Sequence, residues 1–449
     1  MKSLLYKSFG LVYRITNWLK WRFTPGGLFV LAGLLTSAVV GLDTNQTLAY
    51  QIFTLLLAFL ILSIAWCLFF RAGFSVSRDL PRFGTTGEPI PYRIFIKNLS
   101  KRSQTGLQIE EQTENPLPTF NEIIKSGKDD VTEHNLFDRF VGYIRWRRLA
   151  YRKRKLFVTR YSLPPVMPNE EEELRAEIVP LRRGSLVLKG LSISCTDPFG
   201  LVRSFIHVPV RQSFFVLPKR YDVPSLQLPG TRKFHSGGLA LASSVGDSEE
   251  FMSMRDYRPG DPLRKIHWKS WAKTDRPIVK EYQDEFFVRH ALILDTFQGV
   301  EYGEAFEEAV SVAASFACSI QTQESLLDLM FVGTEAYCFT SGRGISYTDR
   351  MLEILSAVRP CTDKPFSELP PMVFERMALL SGCICIFLSW NEERKAFIRK
   401  IESMGVPLIV LVVSEDPIPQ PIGMDSEGWQ PEYFMNLLTG RIEEGLAQL

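Results

Sequence analysis

Two uncharged apolar runs dominate the start of the chain. Residues 26–42 carry no charge, and residues 48–70 are likewise uncharged and more strongly apolar. The second run is long enough to span a bilayer, and the first lies at the short end of the range. Only Asp43-Thr44-Asn45-Gln46-Thr47 separates them, so the pair must be antiparallel with both ends on one side. Lys2, Lys7, Arg14, Lys20 and Arg22 precede the first run, and Arg71, Arg78 and Arg82 follow the second. The connection holds neither Lys nor Arg, so the positive-inside rule predicts a cytoplasmic N-terminus and a cytoplasmic bulk. A cleaved signal peptide fits poorly, because the apolar run starts late and a second follows at once. The expectation is a multi-pass protein of the inner (plasma) membrane, with the lipid bilayer as its first partner.

Beyond residue 72 the pattern changes to period two. Phe74-Ser-Val-Ser-Arg, Ile90-Pro-Tyr-Arg-Ile-Phe-Ile-Lys and Leu107-Gln-Ile-Glu-Glu alternate apolar and polar positions, with turn residues between them. The pattern resumes at Leu156, Leu174, Ser185, Leu191 and Phe214, again as short segments bounded by turns. Short strands at this spacing predict an immunoglobulin-like β-sandwich over residues 73–225, a scaffold with no evident catalytic constellation. A basic insertion over 121–155 interrupts it. Eight of the 19 residues from 137 to 155 are Arg or Lys: Arg139, Arg145, Arg147, Arg148, Arg152, Lys153, Arg154 and Lys155. With Trp146 among them and Phe137, Phe140, Val141, Ile144 and Leu149 on a shared face, the segment reads either as an interfacial helix on anionic lipid or as a solvated, protein-facing insertion. Nothing else in the chain supports nucleic-acid binding.

From residue 285 to 449 the period changes again. Apolar strands His290–Asp295, Leu326–Val332, Cys383–Ser389 and Pro407–Val413 alternate with helical segments over 304–319, 347–358, 391–404 and 431–447. That alternation predicts a doubly wound, mainly parallel α/β sheet, whose ligands bind outside the carboxyl ends of the strands. Asp295 sits at one such end. Composition changes little in this picture. With 52 basic and 50 acidic residues the chain is near neutral, and 45% hydrophobic content argues against long disorder. The seven cysteines are scattered and read as reduced packing residues.

Between the β and α/β parts lies a linker, 226–284, that holds the densest unusual chemistry. It runs Arg255-Asp-Tyr257-Arg-Pro-Gly260-Asp261-Pro-Leu-Arg264-Lys-Ile266-His-Trp268-Lys269-Ser-Trp-Ala272. Pro259-Gly260 marks a turn, Asp261 suits an N-cap and Pro262 a first helical position. On that helix Leu263, Ile266 and Trp271 would share a face, and Arg264 would stack on Trp268.

These residues resemble the signature of the domain of unknown function 58, a family of bacterial and archaeal proteins. Arg182-Arg183-Gly184 followed by Asp197-Pro198-Phe199-Gly200-Leu201 is similar to a second hallmark of that family, and its members also carry two N-terminal spans. The resemblance implies a von Willebrand factor A-like C-terminal domain. It implies as partners a MoxR-type AAA+ ATPase and a transglutaminase-like membrane protein. In von Willebrand A domains a Mg²⁺ rests on Asp-x-Ser-x-Ser and a distal Asp. Here the loop reads Asp295-Thr296-Phe297-Gln298-Gly299, and Trp390 stands near the distal position. The site is degenerate at Asp295, and no metal or other cofactor is expected.

Phosphate-loop, nucleophile-elbow and His-Glu-x-x-His motifs are missing from the sequence, and Asp261, His267, Lys269 and Lys273 form no nucleophile–base set. No small-molecule substrate is evident. The reading is a non-enzymatic, membrane-anchored cytoplasmic scaffold that recruits an ATPase for assembly or maturation of envelope or other complexes, with the signature stretch either its docking surface or a structural linker whose aromatics pack and whose charges pair. A structural role in envelope biogenesis without an ATPase, and an uncharacterised enzyme, are the alternatives. The expected order is a cytoplasmic segment 1–25, two transmembrane helices 26–72, the β domain, the linker, and the α/β domain 285–449.

Overall fold

The computed structural model describes residues 2–40, 47–114, 117–119, 143–224, 251–261, 263, 266–282, 289–298, 303–321, 326–341, 345–417 and 431–449. The chain divides into two compact units, residues 1–219 with 353–358, and residues 220–352 with 359–449.

The first unit opens with three helices, α1 (Lys2–Arg22), α2 (Pro25–Val40) and α3 (Thr47–Phe69). Helix α1 was not foreseen, because its charged and apolar residues alternate without a clean stripe. One helix, Leu48–Phe69, is long and apolar enough to cross a membrane. Helix α2 has 16 residues, about 24 Å at 1.5 Å per residue, which falls short of a hydrocarbon core of about 30 Å. The expected hairpin of two full spans is therefore reduced to one helix of spanning length and one shorter apolar helix.

The β part follows. Strands β1 (Phe74–Asp79), β2 (Phe83–Thr85), β3 (Ile90–Asn98) and β4 (Leu107–Thr113) lead to helix α4 (Tyr143–Arg152). Then come β5 (Leu156–Phe157), β6 (Tyr161–Ser162), β7 (Glu171–Pro180), β8 (Gly184–Thr196), β9 (Arg203–Val208) and β10 (Gln212–Leu217). One sheet has the order β1-β3-β7-β5 and the other β2-β10-β8-β4-β6, with β9 also on β8. Burial alternates at every residue of β1, as the period-two pattern requires. Ile94 and Ile96 of the first sheet share a core with Leu188 and Ile193 of the second. Two expected strands, at Ser185 and Leu191, are one continuous 13-residue strand, β8. The intervening Lys189-Gly190 is not a turn, because β8 gains partners on both sides, from β10 and β4 in one layer and from β9.

Inside this core an ion pair bridges the two sheets. Arg78 Nε and Nη2 donate to the two carboxylate oxygens of Glu111 at 2.9 and 2.8 Å, and Tyr92 Oη donates to the same carboxylate at 2.9 Å. Arg78 also donates to the Val210 carbonyl. A residue that sequence reading places among the positive flank of a membrane span is thus a buried core residue, 9% exposed. Burial pushes the Glu111 carboxyl above its usual range, against the pull of Arg78. Burial also raises the Tyr92 hydroxyl, beside Glu111.

The second unit contains a two-stranded antiparallel sheet, β11 (Phe251–Asp256) and β12 (Ile278–Tyr282), with the short helix α5 (Trp268–Thr274) between them. It also holds a six-stranded sheet: β13 (Arg289–Leu294), β14 (Leu326–Val332), β15 (Ala336–Ser341), β16 (Gly382–Phe387), β17 (Leu408–Ser414) and β18 (Phe434–Leu438). Its order is β15-β14-β13-β16-β17-β18, parallel except for the antiparallel edge strand β15. Helices α6 (Glu304–Gln321), α7 (Ile345–Ala357), α8 (Leu369–Arg376) and α9 (Glu392–Ser403) connect the strands, with residues 353–357 of α7 belonging to the first unit, and α10 (Ile442–Leu446) follows β18. Four of these elements match the expected apolar strands. The helix expected over 431–447 is instead β18, a turn and α10. Phe434–Leu438 pairs in parallel with β17, and Gly440, at φ 79°, breaks the chain before the final helix turn. Cys383 and Cys385 both pack in the core, where burial raises the Cys385 thiol, and none of the seven cysteines forms a disulfide.

Candidate functional site

The signature stretch is built as an excursion between two paired strands. Arg255 faces Val279 and Asp256 faces Ile278 across the β11–β12 ladder. The chain then turns: the Asp261 amide donates to the Arg258 carbonyl at 3.0 Å, and Gly260 takes φ 109°, which only glycine adopts without strain. Arg255 closes the turn with a two-pronged bond, Nη1 and Nη2 to the Asp261 carboxylate at 2.7 and 2.8 Å. The Arg258 amide donates to that carboxylate at 2.9 Å. These bonds, the one from Arg255 first, hold the Asp261 carboxyl down at about 2.

Asp261 is therefore the brace of a turn and not the cap of a helix. The helix starts seven residues later, at Trp268, with His267 at its N-cap. Ile266 is buried and bridges Val279, while the His267 amide donates to Ile278 at 2.8 Å. The backbone here pairs with β12, and that pairing wins over the helical pattern read from Leu263, Ile266 and Trp271. Trp268 stacks on Trp271, with centroids 5.3 Å apart. Pro262 and Arg264, and with Arg264 the expected stack on Trp268, lie outside the described residues. Lys269 and Ala272 are exposed and Tyr257 half-buried. Leu263 and Trp268 stand 67% and 65% exposed, with Met254 also outward. The segment thus combines a braced frame with protruding apolar side chains.

The parallel sheet reverses its winding between β13 and β16, the switch point where such sheets bind ligands. Asp295 follows β13 at this point and is wholly buried. Its carboxylate accepts from the Phe297 amide at 3.0 Å, the Leu388 amide at 3.2 Å and Arg394 Nε at 2.8 Å. The Arg394 guanidinium also lies 4.6 Å from the centre of the Phe366 ring. An internal cation therefore satisfies Asp295. Trp390 packs on Phe434 with centroids 5.0 Å apart. Among the described residues no three metal-ligating side chains gather. Arg394 was missed from the sequence, although a signal existed. Asn391 caps α9, so Arg394 sits in the first turn, where a cation opposes the helix dipole and needs a buried acid.

In the first unit the second hallmark forms a clamp. Asp197 accepts from the amides of Phe199, Leu201 and Val202 at 3.0, 2.7 and 2.7 Å. The loop so fixed, through Pro198 and Gly200, presents its carbonyls to the elbow between α1 and α2. Thr24 donates its amide to Leu201 and its hydroxyl to Gly200, and Phe23 bridges Val202. A Cβ at Gly27 would stand 2.0 Å from the Leu201 carbonyl oxygen, so only glycine fits there. Phe199 meets Phe59 of α3 edge-on at 5.5 Å. Gly184 starts β8 at φ 103°, and Arg183 donates to the carbonyls of Leu355 and Val358, which belong to the same unit.

The basic segment is described from Tyr143 onward, and residues 120–142 lie outside the described part. Trp146 is fully buried, and Leu149, Ala150 and Lys153 are buried too. The described apolar side of α4 therefore faces protein, the second of the two readings, while Phe137, Phe140 and Val141 lie outside the described residues. Tyr13 of α1 meets Trp146 edge-on at 5.1 Å, and Phe9 meets Tyr143 at 5.5 Å. Arg147, Arg148 and Arg152 are exposed, and Arg154 and Lys155 are half-buried. Nothing is described of the Arg145 side chain.

A parallel α/β unit with a braced hairpin excursion defines the class of this protein. Residues 253–370 match the family "Protein of unknown function DUF58". An uncharacterized protein, YeaD of Bacillus subtilis (strain 168), is 25% identical over 193 residues, 42% of this chain and 47% of the relative. The chain spans about half the length of that relative. Among solved structures, the CARDB domain of PF1109 from Pyrococcus furiosus is 10% identical, over 32% of this chain and 94% of that domain, at a TM-score of 0.17. A beta-glucosidase from Listeria innocua is 12% identical, over 32% of this chain and 16% of the enzyme, at 0.16. Similarity this low places no constraint on the class of the β part.

Proposed function

We propose that this protein is a membrane-anchored, non-enzymatic adaptor whose signature excursion docks a protein partner, a MoxR-type AAA+ ATPase. The observation that carries the reading is the outward Leu263 and Trp268, 67% and 65% exposed, on a frame braced by Arg255 and Asp261. Large exposed apolar side chains on an ordered frame are the anatomy of a docking anchor. The sealed switch point agrees with it, because Arg394 already occupies the charge that a ligand would need there. The strand order, with its single antiparallel edge, supports a von Willebrand A-like reading of the sheet, and the two-layered β part supports an immunoglobulin-like one. A transglutaminase-like membrane protein would join the same assembly, which serves envelope maturation or a comparable process.

The membrane reading places α2 and α3 as a hairpin in the inner membrane with the bulk on the cytoplasmic side. Leu55, Leu62, Trp66 and Leu68 of α3 are exposed, as lipid-facing side chains are. The test is crosslinked affinity purification of the full chain from membranes, read by mass spectrometry, beside the Trp268→Ala and Leu263→Ser variants. The expected result is an AAA+ ATPase with the wild type and its loss with both variants, at unchanged circular dichroism. Recovery of the same ATPase by folded variants would remove the excursion from the docking surface. Recovery of no ATPase by the wild type would remove the adaptor reading.

A further inference from the structure

Helices α1 and α4 do more than pack. Between them lies a partly open cavity of about 500 Å³, lined by Tyr13, Thr16, Asn17 and Lys20 of α1 and by Tyr143, Arg147, Arg148, Tyr151 and Arg154 of the α4 region. Four lining residues are cations, three are tyrosines, and none of the described lining residues is acidic. Edge-on ring contacts between Tyr13 and Trp146 and between Phe9 and Tyr143 lock the two walls together, so the cationic side chains spring from fixed backbones. Arg154 donates to Tyr13 Oη at 3.3 Å and lies over the Tyr151 ring at 5.6 Å, which tethers one guanidinium to the rim. Burial pushes the Tyr13 hydroxyl upward, but its bonds with Arg154 and Asn17 and the Arg154 charge outweigh this and lower it. The Arg154 charge that lowers this hydroxyl acts in the same direction on an anion in the cavity.

We propose that this cavity binds a phosphate group, carried by an anionic membrane lipid. Arginine forks and a lysine, with tyrosine and threonine hydroxyls between them, match the oxygens of a phosphodiester. The position fits as well. Lys20 stands five residues before α2 begins, across the elbow at Phe23-Thr24, so the cavity lies beside the end of α2 that would enter the bilayer at the level of the lipid head groups. The lipid source of the phosphate rests on the membrane reading above, whereas the phosphate chemistry of the cavity does not.

The experiment uses the full chain purified in a non-ionic detergent, titrated by calorimetry with dihexanoyl phosphatidylglycerol, glycerol 3-phosphate and inorganic phosphate. The expected result is saturable one-to-one binding of the lipid, at least tenfold tighter than either soluble phosphate. Equal affinity for lipid and glycerol 3-phosphate keeps the phosphate site and assigns it to a soluble ester. The Lys20→Gln/Arg147→Gln variant is expected to bind at least tenfold more weakly. Arg152→Gln, which removes a charge from the same helix outside the lining, is expected to bind as the wild type does. Thr16→Trp narrows the cavity without touching a charge, and its binding is expected to weaken at least tenfold. It decides the matter if the charge variant loses thermal stability. Absence of saturable binding by all three probes, or undiminished binding by a folded Thr16→Trp, overturns the proposal.

Discussion

Asp261 and Asp295 are each clasped by one arginine, and they differ in how much water reaches them. Asp261 sits in an open turn, where Arg255 and the Arg258 amide lower its carboxyl from 3.8 to about 2. A lowered carboxyl contributes its pairing fully above the unfolded value and loses it as pH falls through about 2. Carbon NMR of labelled aspartate carboxyls is expected to show this midpoint in the wild type. In Arg255→Gln the midpoint should move up toward 3.8, and an unmoved midpoint would remove Arg255 as the cause. Asp295 is different because no water shares its charge. Its partner Arg394 has a side chain only 6% exposed. Breaking a buried pair by removing one side costs about 3–5 kcal/mol. Arg394→Met is expected to lower hydrogen-exchange protection of the β13 and β16 amides by that amount. Asp295→Asn/Arg394→Met should recover a large part, because no charge is then left stranded. Equal protection in the wild type and in Arg394→Met would show that the pair does not hold the switch point together.

At the scale of the element, the hallmark loop explains why one glycine in an apolar helix is not replaceable. Gly27→Ala puts a methyl into the Leu201 carbonyl, and overpacking of this kind costs about 1–3 kcal/mol. Asp197→Ala removes the acceptor of three amides and should loosen the same elbow. Limited proteolysis of both variants is expected to cut near Phe23, where the wild type resists, while the β11–β12 excursion remains intact. The strands were legible because burial at period two or in unbroken apolar runs is written directly in residue order. Phe74–Asp79 and Gly382–Phe387 show this in its two forms. What was not legible was set by partners distant in sequence. Ile266 is drawn into a bridge by Val279, Phe434–Leu438 becomes a strand because β17 offers an open edge, and Arg78 turns inward because Glu111 waits across the core. The apolar side of α4 suited a membrane surface or a protein neighbour equally, and residue order could not choose between them; in the fold Tyr13 of α1 packs on Trp146.

For the whole molecule the same coverage bears on how often the chain crosses the bilayer. Helix α1 precedes both apolar helices, and the β part follows them. Yet Trp21 of α1 stacks on Phe205 of β9 at 3.7 Å, Arg22 donates to the Arg203 carbonyl, and Tyr13 meets Trp146. Segments in contact lie on one side of a membrane, so an even number of crossings separates them. The proposed hairpin meets this condition if the 16-residue α2 crosses together with α3. A helix shorter than the hydrocarbon core is accommodated by local thinning of the bilayer and by basic and aromatic flanks, which Trp18, Lys20, Trp21 and Arg22 supply. Single cysteines at positions 8, 45 and 101 of a cysteine-free chain test this in sealed membrane vesicles of known orientation. A membrane-impermeant maleimide is expected to reach 8 and 101 from one face and 45 only from the other. Labelling of 8 and 101 from opposite faces would mean a single crossing, and would then separate in the membrane two segments that the fold holds in contact.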